Sequence, residues 1–113
     1  DGDDLREITN NKNYGIEGRV QNVATAQKIA HYLNTKGDDV VVSLVSPYID
    51  QREEFKKILG DELIEIYVHT SEERGREQYH VEGYQQPLNN FIDVDTTHDT
   101  PEESYRKIIS NGR

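Results

Sequence analysis

Cysteine is absent from the 113 residues. That excludes disulfides, thiolate metal sites and cysteine nucleophiles, and leaves the redox compartment open. Methionine is absent too, so the chain opens without a start residue, at Asp1-Gly2-Asp3-Asp4. It reads as a piece of a longer protein, or as one whose N-terminus is missing. Positive charge is scarce: 13 Lys and Arg stand against 22 Asp and Glu, a formal net charge of −9. Nucleic acids and anionic membrane surfaces both ask for clustered cations, so this balance argues against either as a partner. Long apolar runs are missing as well. None approaches the ~20 residues of a membrane helix, and no secretory signal pattern opens the chain. Only 33% of residues are hydrophobic and the mean hydropathy is −0.91, so any core is small and concentrated in a few segments.

The apolar residues that are present come in blocks. Val40-Val41-Val42-Ser43-Leu44-Val45 is a β-branched run of the kind buried on both faces of a parallel sheet. Residues 63–69 and 91–95 predict two further strands. Residues 19–36 place Val23, Ala26, Ile29, Ala30 and Leu33 on one helical face, with Gly37 as the stop. Residues 50–59 predict a second helix, ended by Gly60. Thr100-Pro101-Glu102-Glu103 is a capping box that opens a last helix, with Tyr105, Ile108 and Ile109 facing inward. Helices alternating with strands predict an α/β domain with a parallel sheet flanked by helices. Residues 72–90 are polar, carry Gly75, Gly83 and Pro87, and read as a lid or binding loop over the sheet.

In such sheets ligands bind beyond the C-terminal ends of the strands. Asp1, Asp3 and Arg6, then Ser46, Pro47, Tyr48 and Arg52, then Thr70, Ser71, Arg74 and Arg76, then Thr96 and Thr97 are the residues expected there. Carboxylates at that edge suit a divalent metal or a general base. Arginines suit bidentate contacts to phosphate or sulfate oxygens. The plainer alternative is ordinary loop polarity, with Asp1 and Asp3 as turn-capping side chains. His31, His69, His80 and His98 lack metal-ligand spacing and read as structural. No G-x-S-x-G elbow is present.

Five pieces, in order and near the expected spacing, resemble the adenylylsulfate kinases, a family of P-loop kinases. They are Asp1-Gly2-Asp3-Asp4-Leu5-Arg6; Asn11 to Ile16 with Gly18-Arg19-Val20-Gln21-Asn22-Val23; Val45-Ser46-Pro47-Tyr48-Ile49-Asp50-Gln51-Arg52; Leu63 to Ser71; and Tyr84 to Asn90 with Asp93-Val94-Asp95-Thr96. The resemblance implies a single three-layer α/β/α domain over residues 1–113, with residues 72–90 as its lid. It implies transfer of the ATP γ-phosphoryl to the 3′-hydroxyl of adenosine 5′-phosphosulfate. Asp1 and Asp3 would organise Mg²⁺ through water and take the hydroxyl proton. Arg6 and Arg19 would hold the phosphosulfate oxygens, and Asn22 would hydrogen-bond the acceptor. Ser46 and Pro47 would form the turn beneath it, with Tyr48 as a wall, and Arg74 or Arg76 would be the lid arginine near ATP. A homodimer is implied too. A cytoplasmic location is expected from the missing export signal and the need for ATP.

The departures from the family pattern are specific. The phosphate-cradling G-x-x-x-x-G-K-[ST] loop does not occur in these residues, so the domain is expected to be incomplete at its N-terminus. The family's adenine-stacking Phe is Ile16, its Asp before the first substrate arginine is Gly18, and an Arg after the Ser-Pro-Tyr segment is Ile49. The lid is shortened, and Tyr79 stands near its missing Phe. A P-loop kinase of another small molecule or nucleotide, or a non-catalytic anion-binding module, remains open beside the first reading.

Overall fold

The computed structural model describes residues 1–71 and 83–111. The chain divides into two compact units, Asp1–Gly60 and Asp61–Arg113. Together they hold four α-helices and one small parallel sheet among the described residues, the α/β class expected.

The first unit contains three helices: α1 (Gly2–Thr9), α2 (Ile16–Thr35) and α3 (Ile49–Leu59). α1 was not foreseen. Asp1 starts it: its Oδ1 accepts the N–H groups of Asp3 at 2.8 Å and Asp4 at 3.4 Å, satisfying donors that a helix start leaves idle. Asn10, in the left-handed conformation that Asn tolerates, ends the helix. α2 begins three residues earlier than the apolar face predicted and buries Gly18, Asn22, Val23 and Ala30 along one side. Gly37, at φ 93°, terminates it as expected. α1 and α3 each pack against α2.

Residues 40–45 depart from the expectation. They pair with no strand among the described residues, and Val41 is 90% exposed. A strand is defined by its ladder, and β-branched residues alone do not supply one. Their contacts lead instead to the start of α1, where the Gly2 N–H donates to the Ser43 carbonyl at 3.3 Å.

The second unit holds β1 (Ile66–His69), β2 (Ile92–Asp95) and α4 (Pro101–Asn111). The strands pair in parallel, Ile66 with Ile92 through His69 with Asp95. The parallel expectation holds, and β1 is shorter than the 63–69 block. That register puts Tyr67, His69, Asp93 and Asp95 on one face and Ile66, Val68, Ile92 and Val94 on the other. α4 packs on β2, whose Val94 is fully buried. The capping box forms in both directions: the Glu103 N–H donates to Thr100 Oγ1 and the Thr100 N–H donates to Glu103 Oε1, each at 3.2 Å.

Candidate functional site

Three stretches of the first unit meet at Gly2. Its N–H reaches Ser43, and its carbonyl accepts Asn22 Nδ2 at 3.4 Å. A Cβ at residue 2 would lie 3.1 Å from the Leu44 Cβ, so glycine permits the approach. This junction brings the Asp1–Asp3 helix start beside Asn22 of α2 and the segment that runs on to Ser46, Pro47 and Tyr48. Pro47 is fully buried, and Tyr48 is half-buried at the start of α3. The Ser46 carbonyl accepts Arg52 Nη1. Gln51 Nε2 donates to the Val20 carbonyl at 2.9 Å and ties α3 to α2.

Two polar atoms here are buried without a hydrogen-bond partner among the described residues: Asn22 Oδ1 and Ser46 Oγ. Asn22 is only 8% exposed. A buried acceptor left idle costs on the order of 1–3 kcal/mol, and native proteins keep few of them. Asn22 and Ser46 are both residues that the sequence named for acceptor binding. Gln51 Oε1, buried and idle as well, was not named; no motif flagged it.

The arginines separate. Arg19 lies in the first turn of α2, three residues before Asn22 and on the same helical face, half-buried. Its N–H donates to the Gly15 carbonyl at 3.0 Å, and its guanidinium makes no hydrogen bond or ion pair among the described residues. Arg6 faces the loop after α1: Nη1 donates to the Asn13 carbonyl at 2.9 Å and to the Asn11 carbonyl at 3.2 Å. Arg74, Arg76 and most of the 72–90 lid lie outside the described residues. A polar cavity of about 360 Å³ sits at the other end of α1, lined by Thr9, the 10–13 loop, Gln21 and Thr25, away from Asn22 and Ser46.

The second unit carries a polar cluster at the C-terminal ends of its strands, where the sequence placed Thr70, Ser71, Thr96 and Thr97. Thr97 Oγ1 accepts the Ser71 N–H at 3.0 Å and donates to Asp95 Oδ1. That hydroxyl, then the Thr97 N–H, then the nearby His69 and Lys107 charges hold the Asp95 carboxyl below its ordinary value. Lys107 is pushed up, chiefly by its ion pair with Asp99. His69 Nε2 meets Asp93 Oδ1 at 2.8 Å, and its ring stacks on Tyr67 at 4.5 Å. The structural reading of His69 stands; its partner Asp93 was missed, since only the strand register reveals the pair.

Mg²⁺ can be tested against the donors present. No group of three or more His, Cys, Asp or Glu side chains is placed to hold a metal among the described residues. Asp1 and Asp3 offer two hard carboxylates, and Asp1 Oδ1 is already taken by backbone N–H groups. A pair of carboxylates suits an ion that keeps most of its waters and shares substrate phosphates, as Mg²⁺ does. The residues fit it in that water-mediated sense.

A profile of the adenylylsulphate kinase family matches residues 1–108. The chain belongs to that family. The adenylyl-sulfate kinase of Staphylococcus epidermidis is 32% identical over 129 residues, covering 96% of this chain and 65% of that protein. That of Staphylococcus carnosus is 28% identical, covering 91% of this chain and 55% of that protein. The cytidine diphosphoramidate kinase of Campylobacter jejuni is 29% identical, covering 98% and 66%. The chain thus spans between about half and two-thirds of these relatives. No solved structure matches it. No helix among the described residues is long and apolar enough to cross a membrane.

Proposed function

We propose that this chain is the acceptor-binding part of an ATP-dependent kinase that phosphorylates a hydroxyl of a small anionic nucleotide, with adenosine 5′-phosphosulfate as the acceptor. The observation that carries this reading is the pair of idle buried oxygens, on Asn22 and Ser46, beside the Asp1–Asp3 helix start. In this reading residues 1–113 belong to one kinase domain, with 72–90 as its lid.

The acceptor 3′-hydroxyl oxygen bonds to the γ-phosphorus as the bond from that phosphorus to the bridging oxygen breaks, and ADP leaves. The hydroxyl proton goes to a carboxylate. Asp1, whose Oδ1 alone is used in capping, or Asp3 supplies it. Asn22 Oδ1 and Ser46 Oγ hydrogen-bond the acceptor, Pro47 and Tyr48 wall it, and Arg19 holds its anionic group. Mg²⁺, when bound near Asp1 and Asp3 with ATP, offsets charge on the transferring phosphoryl group. Arg74 or Arg76 reaches the ATP phosphates from the lid. The reading extends to a cytoplasmic homodimer serving sulfate assimilation.

A second acceptor class is favoured by one feature. Ile16 is 67% exposed at the position of the family's stacking aromatic, so the purine loses a ring–ring contact. The Campylobacter relative, named for a cytidine diphosphoramidate, makes a pyrimidine nucleotide the alternative acceptor.

A coupled ADP-release assay with the full-length protein decides. Turnover with adenosine 5′-phosphosulfate, reduced about 10²–10³-fold in kcat by Asp3→Asn, is expected. Turnover with a cytidine nucleotide alone selects the second acceptor. No ADP release with any nucleotide acceptor contradicts the kinase reading.

A further inference from the structure

Four hydrogen bonds close a ring around the acceptor pocket proposed above. Asn22 Nδ2 donates to the Gly2 carbonyl at 3.4 Å, and the Gly2 N–H donates to the Ser43 carbonyl at 3.3 Å. Three residues on, the Ser46 carbonyl accepts Arg52 Nη1. Gln51, beside Arg52 in the first turn of α3, sends Nε2 to the Val20 carbonyl at 2.9 Å, and so returns to the helix that carries Asn22. Val20 and Asn22 are two residues apart, hence on nearly opposite sides of α2. Asn22 reaches α1 from one side of that helix, and Gln51 holds the other. Gln27, seven residues after Val20 and on the same side, adds a bond from Nε2 to the Gln51 carbonyl at 3.4 Å.

Packing alone does not account for Gln51. Its Oε1 is buried with no hydrogen-bond partner among the described residues. A leucine or methionine would fill the same space without that idle oxygen. The Val20 carbonyl gains little from the contact, since it lies inside α2, where carbonyls already accept the N–H four residues on. What the bond adds is direction, because a hydrogen bond tolerates a narrow range of distance and angle. We infer that Gln51 is a positioning residue: by fixing α3 on α2 it sets where Ser46 stands relative to Asn22. It meets α2 on the side away from Asn22, so it acts on the acceptor through Ser46 rather than by contact. The inference rests on the acceptor pocket proposed above and adds to it a residue that no motif marks.

The test uses the full-length protein and two readouts: exchange of the Gly2 amide by NMR without ligand, and the kinetics of ADP release with adenosine 5′-phosphosulfate. Gly2 lies across the ring from Gln51, so its N–H reports whether the ring closes as a unit. Gln51→Met keeps the bulk and removes the donor. It is expected to speed Gly2 exchange about fivefold. It should also raise acceptor KM about fivefold, with kcat and ATP KM within about twofold and the melting temperature little changed. Gln51→Lys keeps a donor for the Val20 carbonyl and lacks the amide oxygen, so it should recover most of both losses. Gln51→Glu, ionised and without a donor, should recover neither. Unchanged Gly2 exchange in Gln51→Met overturns the inference, and so does an unchanged acceptor KM. A raised KM that persists in Gln51→Lys while exchange recovers would make Oε1 a direct contact to the acceptor and overturn it too. A fall in melting temperature shared equally by all three variants would make Gln51 a packing residue. If the parent protein releases no ADP, the kinase reading fails, and Gly2 exchange with its recovery in Gln51→Lys still decides the ring.

Discussion

Asn22 and Thr97 show how a polar side chain can be read from what it bonds and what it leaves unbonded. Asn22 buries an amide oxygen with nothing to meet it among the described residues, a cost that a ligand would remove. Asn22→Leu should therefore change the melting temperature little, since it deletes an idle oxygen along with the long Nδ2 bond to the Gly2 carbonyl, while raising acceptor KM about tenfold or more. A fall in melting temperature with unchanged KM would make Asn22 structural. Thr97 is the opposite case, a hydroxyl fully engaged. Its two bonds depress the Asp95 carboxyl from 3.8. A depressed carboxyl contributes stability above its unfolded pKa, and that contribution is lost as pH falls through the lower folded value. Thr97→Val should move the Asp95 midpoint back up toward the ordinary value in a carboxyl NMR titration. An unmoved midpoint would assign the shift to the Thr97 N–H, which valine keeps, and then to the His69 and Lys107 charges.

Among the elements, those with explicit end signals were legible in the sequence. Thr100, Pro101 and Glu103 announce α4, and both capping bonds form. Thr100→Ala should cost about 1 kcal/mol and raise exchange through the first turns of α4 roughly fivefold. An effect confined to other elements would show that packing on β2, not the cap, sets the helix start. Val94→Ala, which empties a fully buried site, should cost on the order of 2 kcal/mol in the same unit. Residues 40–45 misled because β-branching states a preference, whereas a strand needs a partner that no local pattern supplies. α1 was hidden for a different reason. It is only eight residues long with two large apolar residues, Leu5 and Ile8, and Asp1-Gly2-Asp3 reads equally well as a turn.

At the level of the whole molecule, motif order carried more than periodicity did. The family followed from short segments in order, and the match over residues 1–108 bears it out; the α/β class and the parallel pairing followed from the alternation of helical and strand patterns. Of the site, Asn22 and Ser46 were legible as residue types at fixed spacing. The turn of Arg6 toward the Asn11 and Asn13 carbonyls was not, because it depends on how the 10–15 loop folds back on α1, which only coordinates reveal. The proposed reading is of a pocket that takes a small anion on local cations rather than on a basic surface. Titration of the full-length protein with adenosine 5′-phosphosulfate, following the Asn22 side-chain amide and the Ser46 backbone amide by NMR, tests this most directly. The account predicts saturable shifts at both, with the Ser46 shift needing about tenfold more ligand in Asn22→Leu. Saturable binding that leaves both signals unmoved would contradict it.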